Sequence, residues 1–121
     1  MKIASGVDLI EIERIRDVLA RHGELFLDRI FTAAEQTACA GRVESLAARF
    51  TAKEAVAKAL GTGIGSVSWK EIEVVGDENR APVLRLSGAA ERAGRDKGLK
   101  NWSLSLSHTH DHAIAFVIAT E

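Results

Sequence analysis

The stretch from Arg49 to Gly63 constrains the fold more than any other part of the chain. It is rich in alanine, holds no glycine or proline before Gly61, and reaches there a residue suited to a helix C-cap, so it reads as a helix. At about 100° per residue, Ala48, Ala52, Ala55 and Ala59 share one narrow face, and Leu46, Phe50, Val56 and Leu60 crowd a second, bulkier one. A helix apolar on two sides is packed between other elements rather than laid on a surface. Glu54 and Lys58 share the strip that remains. Charges on such a helix must pair, bind an ion or meet a charged ligand, because burying them bare is too costly.

The flanking segments supply the packing partners. Residues 2–9 alternate, with Ile3, Val7 and Leu9 on one side and Ala4, Gly6 and Asp8 on the other, which predicts a strand whose small-residue face ends in a carboxylate. A helix with Ile12, Ile15 and Leu19 as its buried stripe follows and stops at Gly23. Another helical turn or two covers Leu25 to Ile30, and the capping-box pattern Thr32-Ala33-Ala34-Glu35 opens a short helix to about Ala40. The central helix runs from Ser45, or from nearer Arg42, to Leu60. Beyond the loop from Gly61 to Ser66, strands are predicted at Glu71–Val75 and Val83–Leu86 with a turn at Gly76-Asp77-Glu78-Asn79 between them. Ser87 then caps a helix to about Lys97, ended by Gly98.

Toward the C-terminus, Trp102, Leu104 and Leu106 alternate with Ser103, Ser105 and Ser107. After a turn around Thr109–Asp111, Ile114, Phe116 and Ile118 alternate with Ala113, Ala115, Val117 and Ala119. This predicts a hairpin with one bulky face and one face of mostly serine and alanine, the small face lying against the alanines of the central helix. The fold class is α+β: a mainly antiparallel sheet wrapped around one long central helix, with residues 1–121 as a single domain.

Sixteen basic residues against seventeen acidic ones give a net charge of -1, so no global basic field draws the chain to nucleic acid and any anion recognition is local. No run of apolar residues is long enough to span a membrane or to serve as a signal peptide. The single Cys39 allows no internal disulfide and fits a reducing compartment, so a cytoplasmic protein is expected.

Several side chains can carry chemistry. Asp8 is either a helix N-cap or an oxygen ligand for a hard cation, and Mg²⁺ takes one or two carboxylates with water and phosphate oxygens filling its other sites. Glu54 would supply the second carboxylate if the first strand ends beside the central helix. Against this stands a simple i,i+4 ion pair between Glu54 and Lys58. Arg49 and Lys53 lie around the helix from Glu54 and need their own anionic partners or a route to solvent; Lys53 has the alternative of a solvated neighbour without a role. The glycines of Gly61-Thr62-Gly63-Ile64-Gly65-Ser66 suggest a phosphate cradle, yet the loop follows a helix, whose dipole opposes an anion there; C-capping is the better reading from spacing. His108, His110 and His112 would share one face of a continuous strand and suggest zinc, a geometry the hairpin turn interrupts. Arg14 and Arg21, seven apart on the outer face of the first helix, either pair with Glu11, Glu13 and Asp17 or dock an acidic partner.

Three motifs in order, Gly6-Val7-Asp8, then Arg49-Phe50-x-x-Lys53-Glu54-Ala55-x-x-Lys58-Ala59-Leu60-Gly61-Thr62-Gly63, then Ser105-x-Ser107-His108-Thr109, closely resemble the holo-[acyl-carrier-protein] synthases, small 4'-phosphopantetheinyl transferases of about this length. Residues 66–101 match in architecture only. The resemblance implies transfer of 4'-phosphopantetheine from coenzyme A to a serine of apo acyl carrier protein, with release of adenosine 3',5'-bisphosphate, in support of fatty acid biosynthesis. It places magnesium carboxylates at Asp8 and Glu54, and coenzyme A phosphate contacts at Arg49, Lys58 and His108. It sets Gly61, Thr62, Gly63 and Thr109 near the nucleotide. It further implies a homotrimer with sites between subunits, and a first helix whose Arg14 and Arg21 dock the acidic carrier protein. Glu54, acting through a water held by the cation, is the leading general base, with Lys58 and His108 as the other candidates. Thr51 stands where the family commonly has alanine and the turn at 110–112 is variable; neither departure is expected to touch a site residue. A non-catalytic sensor of coenzyme A or adenine nucleotides and a zinc hydrolase are the competing readings. The motif set from residue 6 to 109, preceded by Met1, points to a free-standing enzyme rather than a domain excised from a larger synthase.

Overall fold

The chain runs β1 (Ile3–Glu11), α1 (Ile12–His22), α2 (Glu24–Ile30), α3 (Ala33–Cys39), α4 (Val43–Leu60), a 3-10 turn (Trp69–Glu71), β2 (Ile72–Gly76), β3 (Pro82–Leu86), α5 (Gly88–Asp96), β4 (Asn101–His108) and β5 (His112–Thr120). This computed structural model describes residues 1–76 and 81–121. The turn predicted at Gly76-Asp77-Glu78-Asn79 therefore lies, from Asp77 on, outside the described residues. The strands form two antiparallel sheets, β1-β5-β4 and β2-β3.

Helix α4 runs through two apolar clusters in succession, each drawing residues from around the helix, which is why its buried residues run right round it. In its C-terminal half Ala52, Val56, Ala59 and Leu60 meet Ile72, Val74, Ala115 and Val117. Nearer its N-terminus, Leu46, Ala47 and Ala48 meet Ile12, Ile15, Ile30 and Phe31. Each fully buried Leu, Ile or Phe among them contributes about 2 kcal/mol through removal from water. Gly61 ends the helix in the left-handed region (φ 75°), and the Thr32–Glu35 capping box opens α3 as its sequence pattern predicts.

Three local expectations are corrected. Strand β1 continues past Asp8 to Glu11, which is the N-cap residue of α1, so Asp8 is not an N-cap. Ser87 stands at the N-cap of α5 without a side-chain capping bond; Glu71 takes that role by accepting from the Ala89 N–H at 2.7 Å. The C-terminal hairpin also does not sort large side chains from small. Register pairs Trp102 with Ala119, Leu104 with Val117 and Leu106 with Ala115, so each face carries the large residues of one strand beside the small residues of the other.

The reason is distance from α4. Strand β5 lies in the middle of its sheet beneath the helix, where Ala113, Ala115, Val117 and Ala119 are wholly buried. Strand β4 lies farther out, and its Trp102, Leu104 and Leu106 reach across to the same core. The outer face is then left with Val7, Leu9, Ile114, Phe116 and Ile118 between 37% and 60% exposed, with Ser103, Ser105 and Ser107 beside them.

Candidate functional site

Where β1 crosses α4 the two backbones touch. A Cβ on Gly6 would lie 2.8 Å from the carbonyl carbon of Ala55 and 3.1 Å from the Ala59 nitrogen, so only glycine fits. Asp8, two residues on and on the same face of the strand, is thereby carried to the helix stripe formed by Thr51, Glu54, Ala55 and Lys58, spaced i, i+3, i+4, i+7.

Asp8 is held at both oxygens. Its Oδ1 accepts from Lys58 Nζ at 2.9 Å, and the same ammonium donates to the Val7 carbonyl at 3.0 Å. Its Oδ2 accepts from Thr51 Oγ1 at 2.5 Å. Glu54 stands beside this group: burial pushes its pKa up, the Asp8 charge pushes it the same way, and Lys58 and Arg14 pull it down. The structure thus joins Asp8 and Lys58, with Glu54 on the same helix stripe and Arg14 of α1 near enough for its charge to act on Glu54. The i,i+4 alternative is replaced, because Lys58 reaches across to β1 rather than pairing with Glu54.

Thr51 was not expected to touch a site residue, and it does. The available signal was its position three residues before Glu54 and seven before Lys58, which sets its hydroxyl on their face. The reading of Lys53 as a solvated neighbour is likewise corrected. Its side chain is wholly buried and donates to Glu35 Oε1 (2.7 Å), the Trp69 carbonyl (2.9 Å) and the Ile72 carbonyl (2.5 Å). Glu35 also accepts from the N–H groups of Thr32 and Val74. Burial lowers the Lys53 pKa, opposed by the Glu35 charge. Sequence pattern gave Glu35 only its capping role, and nothing in the local spacing shows its second partner eighteen residues away.

The other candidates fall elsewhere. Arg49 points from α4 toward β2, where its Nε donates to the Val74 carbonyl at 2.9 Å. The backbone N–H groups of Gly61, Thr62 and Gly63 all bond back to carbonyls of the last turn of α4, which bears out C-capping and leaves none of the three as an anion donor. The Thr62 hydroxyl is buried with no partner among the described residues. His108 ends β4, two strands from β1 and thus about 10 Å from it laterally. With Thr109 it borders a groove of about 260 Å³ shared with Ile12, Arg16 and Glu44. His108, His110 and His112 are split between two strands and a turn, and among the described residues no group of three His, Cys, Asp or Glu side chains is placed to hold a metal. On α1, Arg16 pairs with Glu13 at 2.5 Å, while Arg14 and Arg21 border a groove of about 240 Å³ floored by Phe26 and Phe50.

The donor set suits a hard divalent cation. The Asp8 charge raises the cost of ionising Glu54, and a cation between them would relieve it. No helix among the described residues is long and apolar enough to cross a membrane.

Residues 4–117 match the model of the 4'-phosphopantetheinyl transferase superfamily. A holo-[acyl-carrier-protein] synthase from Herpetosiphon aurantiacus is 48% identical over 123 residues, spanning 96% of this chain and 97% of that protein. Among solved structures, the Helicobacter pylori holo-[acyl-carrier-protein] synthase in complex with coenzyme A superposes with a TM-score of 0.88 at 32% identity, over 96% of this chain and 99% of that one. The Neisseria meningitidis synthase gives 0.88 at 37% identity, over 98% of both chains.

Proposed function

The chain belongs to the 4'-phosphopantetheinyl transferase superfamily, among its holo-[acyl-carrier-protein] synthases, and from that premise we propose that it is a magnesium-dependent enzyme drawing on coenzyme A. It moves the 4'-phosphopantetheine group to a serine of apo acyl carrier protein, releases adenosine 3',5'-bisphosphate, and so serves fatty acid biosynthesis in the cytoplasm. Residues 1–121 act as one transferase domain. The observation that carries this reading is the meeting of Asp8, Glu54 and Lys58, residues whose chemistry matches a pyrophosphate under attack.

In the reaction the carrier serine oxygen bonds to the phosphorus that bears pantetheine, and the bond from that phosphorus to the bridging oxygen of the pyrophosphate breaks. Asp8 and Glu54 would hold Mg²⁺, which when bound supplies charge neutralisation at the two phosphoryl groups. Lys58, 53% exposed, swings from Asp8 to a phosphate oxygen and balances charge growing on the leaving group. Glu54 is the group that takes the serine proton. Arg49, anchored through Nε, offers its remaining nitrogens toward phosphate.

His108 and Thr109 stand at the end of β4, two strands from Asp8 of the same chain. A homotrimer with sites between subunits accounts for this, and the apolar outer face of β1 and β5 supports it, with Val7, Leu9, Ile114, Phe116 and Ile118 all exposed there. The turn Gly61–Gly63, closely capped and lacking side chains at two positions, gives a nucleotide a flat approach. The groove that Arg14 and Arg21 line, with Asp17, Phe26 and Phe50, supports docking of the acidic carrier through its two cations against one anion.

The test is direct. Incubation with apo carrier protein, coenzyme A and Mg²⁺ adds about 340 Da at the carrier serine, the mass of the transferred group. Asp8→Asn and Glu54→Gln lose turnover by orders of magnitude while remaining folded. Binding of coenzyme A without mass gain would leave only a sensor.

A further inference from the structure

We propose that Thr51 is a positioning residue that holds Asp8 to one available oxygen and thereby selects a small cation that takes one oxygen per carboxylate. The inference rests on the reading of Asp8 as a metal ligand and adds to it a residue outside the family motif.

The two bonds to Asp8 are unequal in permanence. Thr51 is wholly buried, so its hydroxyl is not competed for by water, and at 2.5 Å it makes the short bond of a hydroxyl to an ionised carboxylate. A helical threonine often returns its hydroxyl to a carbonyl one turn back; here it points instead across to β1. Lys58 is on an exposed stem and leaves Oδ1 readily when a phosphate arrives. Oδ2 stays engaged and Oδ1 becomes open. The Gly6–Ala55 backbone contact fixes the spacing between β1 and α4 and so keeps Asp8 within reach of Thr51.

A carboxylate offering one oxygen fits Mg²⁺, which demands compact octahedral geometry. Ca²⁺ accommodates both oxygens of a carboxylate and more ligands in all. Partners that orient a ligand without touching the metal typically change affinity by 10-fold or more.

The experiment measures displacement of Mn²⁺ by Mg²⁺ and by Ca²⁺, read from the electron paramagnetic resonance of free Mn²⁺ with coenzyme A present. Thr51→Val keeps the shape and removes the hydroxyl; it lowers the ratio of Mg²⁺ to Ca²⁺ affinity by about tenfold. Thr51→Ser restores the hydroxyl and keeps the ratio within about twofold of the parent. General loosening of the fold weakens both ions together and leaves the ratio unchanged, so an unchanged ratio in Thr51→Val overturns the proposal. Asp8→Asn separates the two levels: if it binds Mg²⁺ as the parent does, the ligand reading of Asp8 falls and the proposal with it.

Discussion

Adding one methyl group at Gly6 tests the geometry on which the site depends. In Gly6→Ala the new Cβ would meet backbone, not a yielding side chain: 2.8 Å to the Ala55 carbonyl carbon, 3.1 Å to the Ala59 nitrogen, and closer still to the Ala55 carbonyl oxygen. Relieving the carbon contact alone asks for about 0.6 Å, and the oxygen asks for more, so β1 and α4 separate by on the order of 1 Å. Overpacking against an element buried on both sides costs about 3 kcal/mol, the upper end of the usual range. The same movement pulls Asp8 from Thr51 and Lys58, and a misplacement on the order of 1 Å lowers turnover by about 100-fold. Urea unfolding followed by circular dichroism measures the first effect, and carrier modification at saturating substrates measures the second. A variant with the parent's unfolding midpoint and turnover would show that the β1–α4 contact does not set the site.

Other perturbations read other parts of the fold. Lys53→Met leaves Glu35 charged and uncompensated in the core, so stability falls by about 3–5 kcal/mol in denaturant titration; a loss below about 1 kcal/mol contradicts the pairing. Glu54 has a raised pKa when folded, so the folded state holds that proton more tightly than the unfolded chain; the group begins to oppose folding as pH rises above 4.5 and does so fully above its folded pKa. Glu54→Gln of the metal-free protein therefore melts higher at neutral pH, with a gain that fades as pH falls through the raised folded pKa and is gone below 4.5; a gain equal at all pH values refutes this. Phe116→Asp in the exposed apolar face dissociates the proposed trimer in sedimentation, and an unchanged sedimentation coefficient removes that face from the interface. Arg14→Glu combined with Arg21→Glu raises KM for the carrier protein and leaves KM for coenzyme A alone; an unchanged carrier KM ends the docking proposal.

Local pattern was enough for the elements themselves. The Thr32–Glu35 box, the Gly23 and Gly61 stops and the alternation at both chain ends each depend on neighbours within about four residues, and each stands where the sequence places it. Asp8, Glu54 and Lys58 were legible because a buried helix must account for its charges. Thr51 was not: a hydroxyl on an alanine-rich helix is neutral in pattern, and its role exists only where β1 crosses.

The sequence by itself determined a long helix apolar on two sides, antiparallel strands to wrap it, and acidic and basic groups needing partners. Tertiary structure decided which partners they found. The hairpin faces went the other way from the alternation because distance from α4, not composition of one strand, sets the side-chain size a position accepts. Lys53 became buried because Glu35 and two carbonyls converge on it, and Lys58 chose Asp8 over Glu54 because Gly6 lets the backbones touch. Periodicity reports which face a residue lies on; only the assembled fold reports what faces it.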